Sequence, residues 1–139
     1  DNNESMWVID FGASYHLTPD RKCFSSYKAG DHGFVKMGNE GEYIIVVIGY
    51  VCLITLIGCR LLLREVRHFP EVRLNMISTD WLDDEGYKGN IGNGTMRFYK
   101  GNVITARAPK TNMLYLMHAR IYQEEANLAA DNADELWHK

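Results

Sequence analysis

The sequence predicts a mainly β chain with one short helix, followed by a β-rich C-terminal extension that ends in a second helix. Three observations carry this. Residues 43–59, YIIVVIGYVCLITLIGC, are apolar, rich in β-branched side chains and broken by Gly49 and Gly58, a pattern suited to buried strands. Shorter apolar runs alternate with the turn signals GNEG, GNIGNG and KGN. Helix signals are confined to STDWLDDEG and to the Ala- and Glu-rich tail IYQEEANLAADNADELWHK.

Taken in order, MWVID (residues 6–10) reads as a short buried strand. Residues 12–33 read as turn-rich, with Thr18-Pro19-Asp20 and Gly30-Asp31-His32-Gly33 as breakers. FVKMGNEGEYIIVVIGYV reads as two strands around a tight GNEG turn. A third apolar run, CRLLLREVRHF, precedes Pro70, and VRLNMIS follows it. Ser78 or Thr79 then offers an N-cap, acids fill the first turn and Gly86 stops a helix of about two turns. A boundary near residue 86 separates this strand-dominated part from the shorter strands beyond Tyr87.

Composition narrows the function. A chain of 139 residues with 46% hydrophobic content can bury a real core without staples. A net charge of -3 is no polyanion-binding footprint, so nucleic acid is not an expected partner. Cys23, Cys52 and Cys59 are odd in number and lack CxxC spacing, which points to a reducing, cytoplasmic setting. The five histidines, His138 included, are scattered without ligand spacing, so neither a metal nor another cofactor is expected. The opening DNNESM is not a signal peptide. Residues 43–59 approach the length of a membrane span, but their β-branched content favours buried strands, and no membrane partner is expected.

Asp10 is the residue that asks for an explanation. A carboxylate at the end of an apolar strand is seldom there unless something uses it. Gly12, Ala13 and Ser14 behind it allow a sharp turn and close approach by another chain. Aspartic-protease chemistry needs two carboxylates about 3 Å apart sharing a proton. One motif per chain supplies such a pair only through a two-fold dimer. The plain reading of Asp10 is a turn acid.

The stretch WVIDFGASYHLTPDRKCFSSYKAGDHGFVKMGN resembles the protease segment of copia-type LTR retrotransposon Pol polyproteins. That family reads W-[IV]-[ILV]-D-[ST]-[GA]-A-S-x-H here, then a Phe…Tyr stretch and V-x-M-G-[ND]. The likeness continues through VRHFPEVRLNMIS, LDDEGY, LYLM and ADELWHK, and so covers essentially the whole chain. The resemblance implies a small, closed, retropepsin-like β domain at residues 5–86 and a pre-integrase remnant at 87–139. It implies a homodimer with Asp10 as the catalytic acid and Phe11, Gly12, Ala13 and Ser14 as its loop. Gly38, Asn39 and Gly41 would belong to a substrate-covering flap, and VRLNMIS with TDWLDD would brace the loop. The expected partner is a polypeptide substrate or, in a domesticated host gene, a bound protein.

Phe11 departs from the family pattern, where Ser or Thr at this place hydrogen-bonds across the dimer axis. Two lost buried hydrogen bonds cost about 1–3 kcal/mol each, and a displacement of about 1 Å at paired carboxylates costs roughly a hundredfold in rate. Either Phe11 impairs proteolysis, or it turns away into the core with the loop relaxed and the dimer altered or lost. The alternative to a protease is a non-catalytic domain that keeps the fold as a dimerisation or protein-binding module. The continuous apolarity of residues 43–63 also predicts an outer face with apolar surface to spare. His16 as a base for Ser14 lacks an orienting third group and reads as structural. GNIGNG reads as a hairpin turn and Asp83, Asp84 and Glu85 as a solvated helix end. Trp7 and Trp81 read as core or dimer-contact residues.

Overall fold

The computed structural model describes residues 3–37 and 42–123. Its elements are β1 (Glu4–Asp10), β2 (Leu17–Thr18), β3 (Ser26–Met37), β4 (Glu42–Thr55), β5 (Arg60–His68), β6 (Asn75–Ser78), α1 (Thr79–Asp84), β7 (Tyr87–Gly92), β8 (Thr95–Lys100), β9 (Val103–Thr111) and β10 (Leu114–Ile121), with a single 3-10 turn at Arg21–Cys23. The proposed flap residues Gly38, Asn39 and Gly41 lie outside the described residues, as does the tail helix beyond Gln123.

The strands hydrogen-bond in the order β3-β4-β5-β2-β6-β1-β10-β9-β8-β7, and β10 also pairs with β4. That extra pairing, through Ala119↔Thr55 to Ile121↔Leu53, closes a ring of β4, β5, β2, β6, β1 and β10. Closure removes the sheet edges that these strands would otherwise expose. The fold is thus mainly β, small and closed, with one short helix. β3 lies outside the ring against β4, and β9, β8 and β7 extend the sheet from β10.

Sequence pattern follows position. β1 has neighbours on both sides and burial on both faces, and its Trp7, Val8 and Ile9 are consecutively buried. β8 and β10 expose one face, and their residues alternate in burial. One core cluster joins Trp7, Leu53, Leu61, Leu63 and Ile77 to Phe98, Ala106 and Met117, so side chains from both sides of residue 86 pack together. Thr55 Oγ1 also donates to the Thr105 carbonyl at 2.5 Å across that boundary.

The breaker Gly30-Asp31-His32-Gly33 does not end a strand. β3 runs through it, and the cost appears as a register shift against β4 between Tyr27 and His32. The apolar run at 43–59 is β4 and the turn after it, and no helix among the described residues is long and apolar enough to cross a membrane. Its spare apolar surface is visible at Ile44, Ile45 and Leu56, with Phe34 of β3 also exposed. Helix α1 forms where expected, with Ser78 as N-cap and Gly86 at φ +93 behind it.

Candidate active site

Asp10 ends β1 and lies opposite Ser78 of β6 in a parallel register. The chain turns at once. Gly12 N–H donates to Asp10 Oδ1 at 2.9 Å, and Ala13 N–H reaches the Asp10 carbonyl at 3.4 Å. This is the Asx turn that an aspartate favours before a glycine. Asp10 is half-buried, and among the described residues no second carboxylate meets it.

Ser78 holds the other side of the turn. Its hydroxyl donates to the Ala13 carbonyl at 2.9 Å and accepts from Trp81 N–H at 3.3 Å, capping α1. Its own N–H donates to His16 Nδ1 at 3.0 Å. One fully buried serine thereby ties together the loop, the strand beside it and the helix behind it. Residues 75–84 brace the Asp10 loop through these three bonds.

His16 is 1% exposed, and its ring lies 6.3 Å from that of Trp81. Burial, reinforced by the positive charge of Arg67, lowers its pKa to about 3. The imidazole is therefore neutral, and its Nδ1 lone pair is committed to Ser78. It is a structural acceptor, as the missing third group indicated. Ser14 is exposed and gains no base from it.

Phe11 does not turn into the core. It is 50% exposed and stands edge-on to Tyr115 of β10, with centroids 6.2 Å apart at 87°. The physical reason is the register: Asp10 Oδ1 holds the turn at Gly12, and the core behind β1 is already filled by Trp7 and Ile9. Tyr115 follows a two-residue turn, Asn112-Met113, in which both residues have positive φ (51° and 72°). Asn at the first place is favourable, whereas Met at the second is strained, and Met113 is largely exposed.

Trp7 is wholly buried in the core, while GNIGNG forms the β7–β8 hairpin. Glu85 pairs with Arg64 at 3.2 Å, and no cluster of possible metal ligands occurs among the described residues. All three cysteines are free thiols. A polar groove of about 530 Å³ lies among Glu4, Asp20, Lys22, Asn75 and Gln123, and an apolar one of about 290 Å³ among Ile44, Ile45, Phe69 and Pro70. Neither borders Asp10.

Family likeness pointed to VRLNMIS and TDWLDD as the segments behind the loop, but the sequence did not show which bonds they make. Ser78 was legible as a cap only; its bond to Ala13 spans 65 residues and has no local signal. Tyr15 and Arg67 were missed altogether, although the Arg67 guanidinium carbon lies 3.6 Å from the centre of the Tyr15 ring. β5 carries three arginines, and nothing local marks Arg67 as the buried one.

Comparison with known proteins agrees with this architecture. Residues 7–87 match the family model described as "Pol polyprotein, beta-barrel domain". The chain is 44% identical over 137 residues to the retrovirus-related Pol polyprotein from transposon TNT 1-94 of Nicotiana tabacum, a match covering 98% of this chain. It spans only 10% of that relative's length. No solved structure matches the chain. With more than half of its residues in the family match and the closed strand ring to go with it, the chain belongs to the Pol polyprotein beta-barrel domain family, as a copia-type retrotransposon Pol sequence.

Proposed function

We propose that the chain is one half of a retropepsin-type aspartic endopeptidase site, with Asp10 supplied by each of two copies, and that Phe11 slows it. In the reaction one Asp10 carboxylate takes a proton from water, and the resulting nucleophile attacks the scissile carbonyl carbon. The partner's protonated Asp10 donates its proton to the leaving nitrogen as the C–N bond breaks. The substrate is a polypeptide, in the ancestral setting the polyprotein itself.

The observation that carries this reading is the Asp10 turn. Oδ1 is fixed by Gly12, Oδ2 has no partner among the described residues, and the loop is braced from behind by Ser78. Gly12 adds to it. A Cβ there would meet only Asp10 Oδ1, at an ordinary 3.6 Å. Among the described residues nothing demands glycine at this place, whereas close approach by a second loop would.

The exposed Phe11 favours a second reading, in which the same face is a dimerisation or protein-binding module without catalysis. It presents an apolar ring where the family pattern has a hydroxyl.

The test compares wild type, Phe11→Thr and Phe11→Thr/Asp10→Ala on a fluorogenic peptide library at mildly acidic pH, with mass by light scattering. Slow cleavage by a dimeric wild type, raised about a hundredfold by Phe11→Thr and abolished by Asp10→Ala, is expected. Cleavage by Phe11→Thr alone moves the protein to the binding reading. A monomer that never cleaves leaves only ancestry.

A further inference from the structure

The net charge of -3 averages over unlike stretches of the chain. Residues 87–123 carry Lys88, Arg97, Lys100, Arg107, Lys110 and Arg120 and not one Asp or Glu. All 18 acidic residues lie before or after them. Strands β7 to β10 are therefore a uniformly cationic part of an acidic protein.

Strand register sorts these charges by face. On β8, Met96 and Phe98 are buried in the core, so Thr95, Arg97 and Tyr99 lie on the other face. On β9, Ala106 and Ala108 are buried, which puts Arg107 between them on that same outer face. Arg97 pairs directly with Arg107, Asn90 of β7 with Arg97, and Lys88 with Tyr99. Three cations, an amide and an aromatic ring thus share the outside of a three-stranded sheet. Lys88, Asn90 and Arg107 are exposed and Arg97 and Tyr99 half-buried, so the described residues leave this face open to solvent.

The pair Arg97 and Arg107 is the most telling. Directly opposed side chains start about 5 Å apart, and like charges there destabilise a sheet. Among the described residues no carboxylate pairs with either arginine or with Lys88. Arg97 Nη1 donates to the Gly92 carbonyl at 3.3 Å, which satisfies a proton and neutralises nothing. A sheet that had only to fold would be steadier with one of the two arginines replaced.

We infer that this face, Lys88, Arg97 and Arg107 around Tyr99, binds single-stranded nucleic acid. Phosphates of a strand crossing the sheet neutralise the opposed arginines, and an unpaired base stacks on Tyr99, which has Lys88 across from it and Arg97 beside it on the face. The tyrosine favours this partner over an acidic polypeptide, which would use the cations alone. The inference goes beyond the Asp10 reading and is independent of whether that site cleaves.

The experiment titrates the full chain into labelled single-stranded oligonucleotides of about 20 residues, read by fluorescence anisotropy between about 50 and 200 mM salt. Deoxy- and ribo-oligonucleotides of one sequence run side by side, and the tighter one names the preferred strand. The expected slope of log affinity against log salt is about -2, or about -0.7 for each of three phosphates met. Arg107→Gln makes it shallower by about 0.7. That variant should melt no lower than wild type, because it removes a repulsion, and Lys88→Gln repeats the slope measurement without touching the arginine pair. Tyr99→Leu weakens binding about tenfold and leaves the slope unchanged, since it removes stacking and no charge. No binding by wild type at the lowest salt overturns the inference. So does equal binding of the duplex of the same sequence, or displacement by polyglutamate at equal charge, either of which leaves only general attraction of anions. Binding that appears only once the acids of residues 124–139 are changed to amides overturns it too, and makes that segment the occupant of the face. Affinity and slope unchanged in all three variants place the binding elsewhere on the chain and overturn it as well.

Discussion

The two flanks of the Asp10 loop are built on opposite principles. On one side Ser78 and His16 are buried to 0% and 1% exposure and joined by hydrogen bonds that each have one possible partner. On the other side Phe11 and Tyr115 meet only edge to edge, beside a hairpin turn that places Met113 in a left-handed conformation. The buried flank fixes where the carboxylate sits. The open flank fixes nothing within one chain, and it is where the sequence departs from the family's Ser or Thr. The loop's position and its chemistry are therefore separable, and substitutions on the two flanks should behave differently.

The largest expected effect tests the buried flank through pH. The folded-state pKa of His16 is depressed to about 3 from an ordinary 6.5, because burial and the Arg67 charge both oppose protonation. Between those values the unfolded chain binds the proton and the folded chain does not, so stability is complete above about pH 6.5 and falls as pH is lowered toward 3. From pH 7 to pH 4 the loss from this one group is about 3 kcal/mol. Urea melts across this range, wild type against His16→Gln, measure it. Glutamine can accept from Ser78 N–H without titrating, so its profile should be flatter. An equal slope in both proteins would mean that His16 is protonated in the fold. The mild acid favoured by a shared-proton aspartate pair is thus also the range in which this fold begins to weaken.

Ser78→Ala should cost about 2 kcal/mol, roughly 1 for the helix cap and the rest for the Ala13 carbonyl left without its donor. Chemical denaturation gives the number. A loss of only about 0.5–1 kcal/mol would mean that the cap is all Ser78 provides and that the loop is held otherwise. Hydrogen exchange at Gly12 and Ala13 separates the two cases, since an unbraced loop exchanges faster.

The same contrast explains what was legible in the sequence. Strand and helix positions were readable because local signals suffice: consecutive apolar residues for doubly covered β1, the turn signals GNIGNG and KGN between the strands beyond Tyr87, a serine cap for α1. Asp10 was readable because a charge at the end of such a strand stands out. Ring closure through β4 and β10 was expected from family likeness alone, since that pairing joins residues more than 60 apart. The Ala13–Ser78 and Tyr15–Arg67 contacts are equally remote in sequence. The Gly30–Gly33 breaker misled because glycine can also sit inside a strand where neighbours come close: a Cβ on Gly33 would lie within 3 Å of the Ile48 and Arg67 side-chain ends.

A smaller effect belongs to the open flank. The β7–β8 hairpin turns on Asn93-Gly94 and the β9–β10 hairpin on Asn112-Met113, all four with positive φ. Glycine accepts that conformation without strain and methionine does not. Met113→Gly should therefore stabilise the chain by about 0.5–1 kcal/mol, the relief of strain being partly offset by the freedom glycine gains in the unfolded chain. Thermal melts at neutral pH read this as a rise of a few degrees. Destabilisation would show instead that the Met113 side chain is packed against something, a second copy being the first candidate.

An equally small effect is expected at Phe11. Half its surface is already in water, and what it contributes within one chain is an edge-on aromatic pair with Tyr115, worth about 0.5–1 kcal/mol. Phe11→Ala should lose about that much in dilute solution, far less than the 3–5 kcal/mol of a buried phenylalanine. If two Asp10 loops meet, each ring is covered by the opposite chain, and the loss must grow with protein concentration because the folded dimer is stabilised by mass action. Melts of wild type and Phe11→Ala at two concentrations a hundredfold apart distinguish these cases. A loss that is small and independent of concentration describes a ring facing water in a monomer. A loss that is small when dilute and large when concentrated places Phe11 at the contact between two copies, where its bulk would set the separation of the two carboxylates.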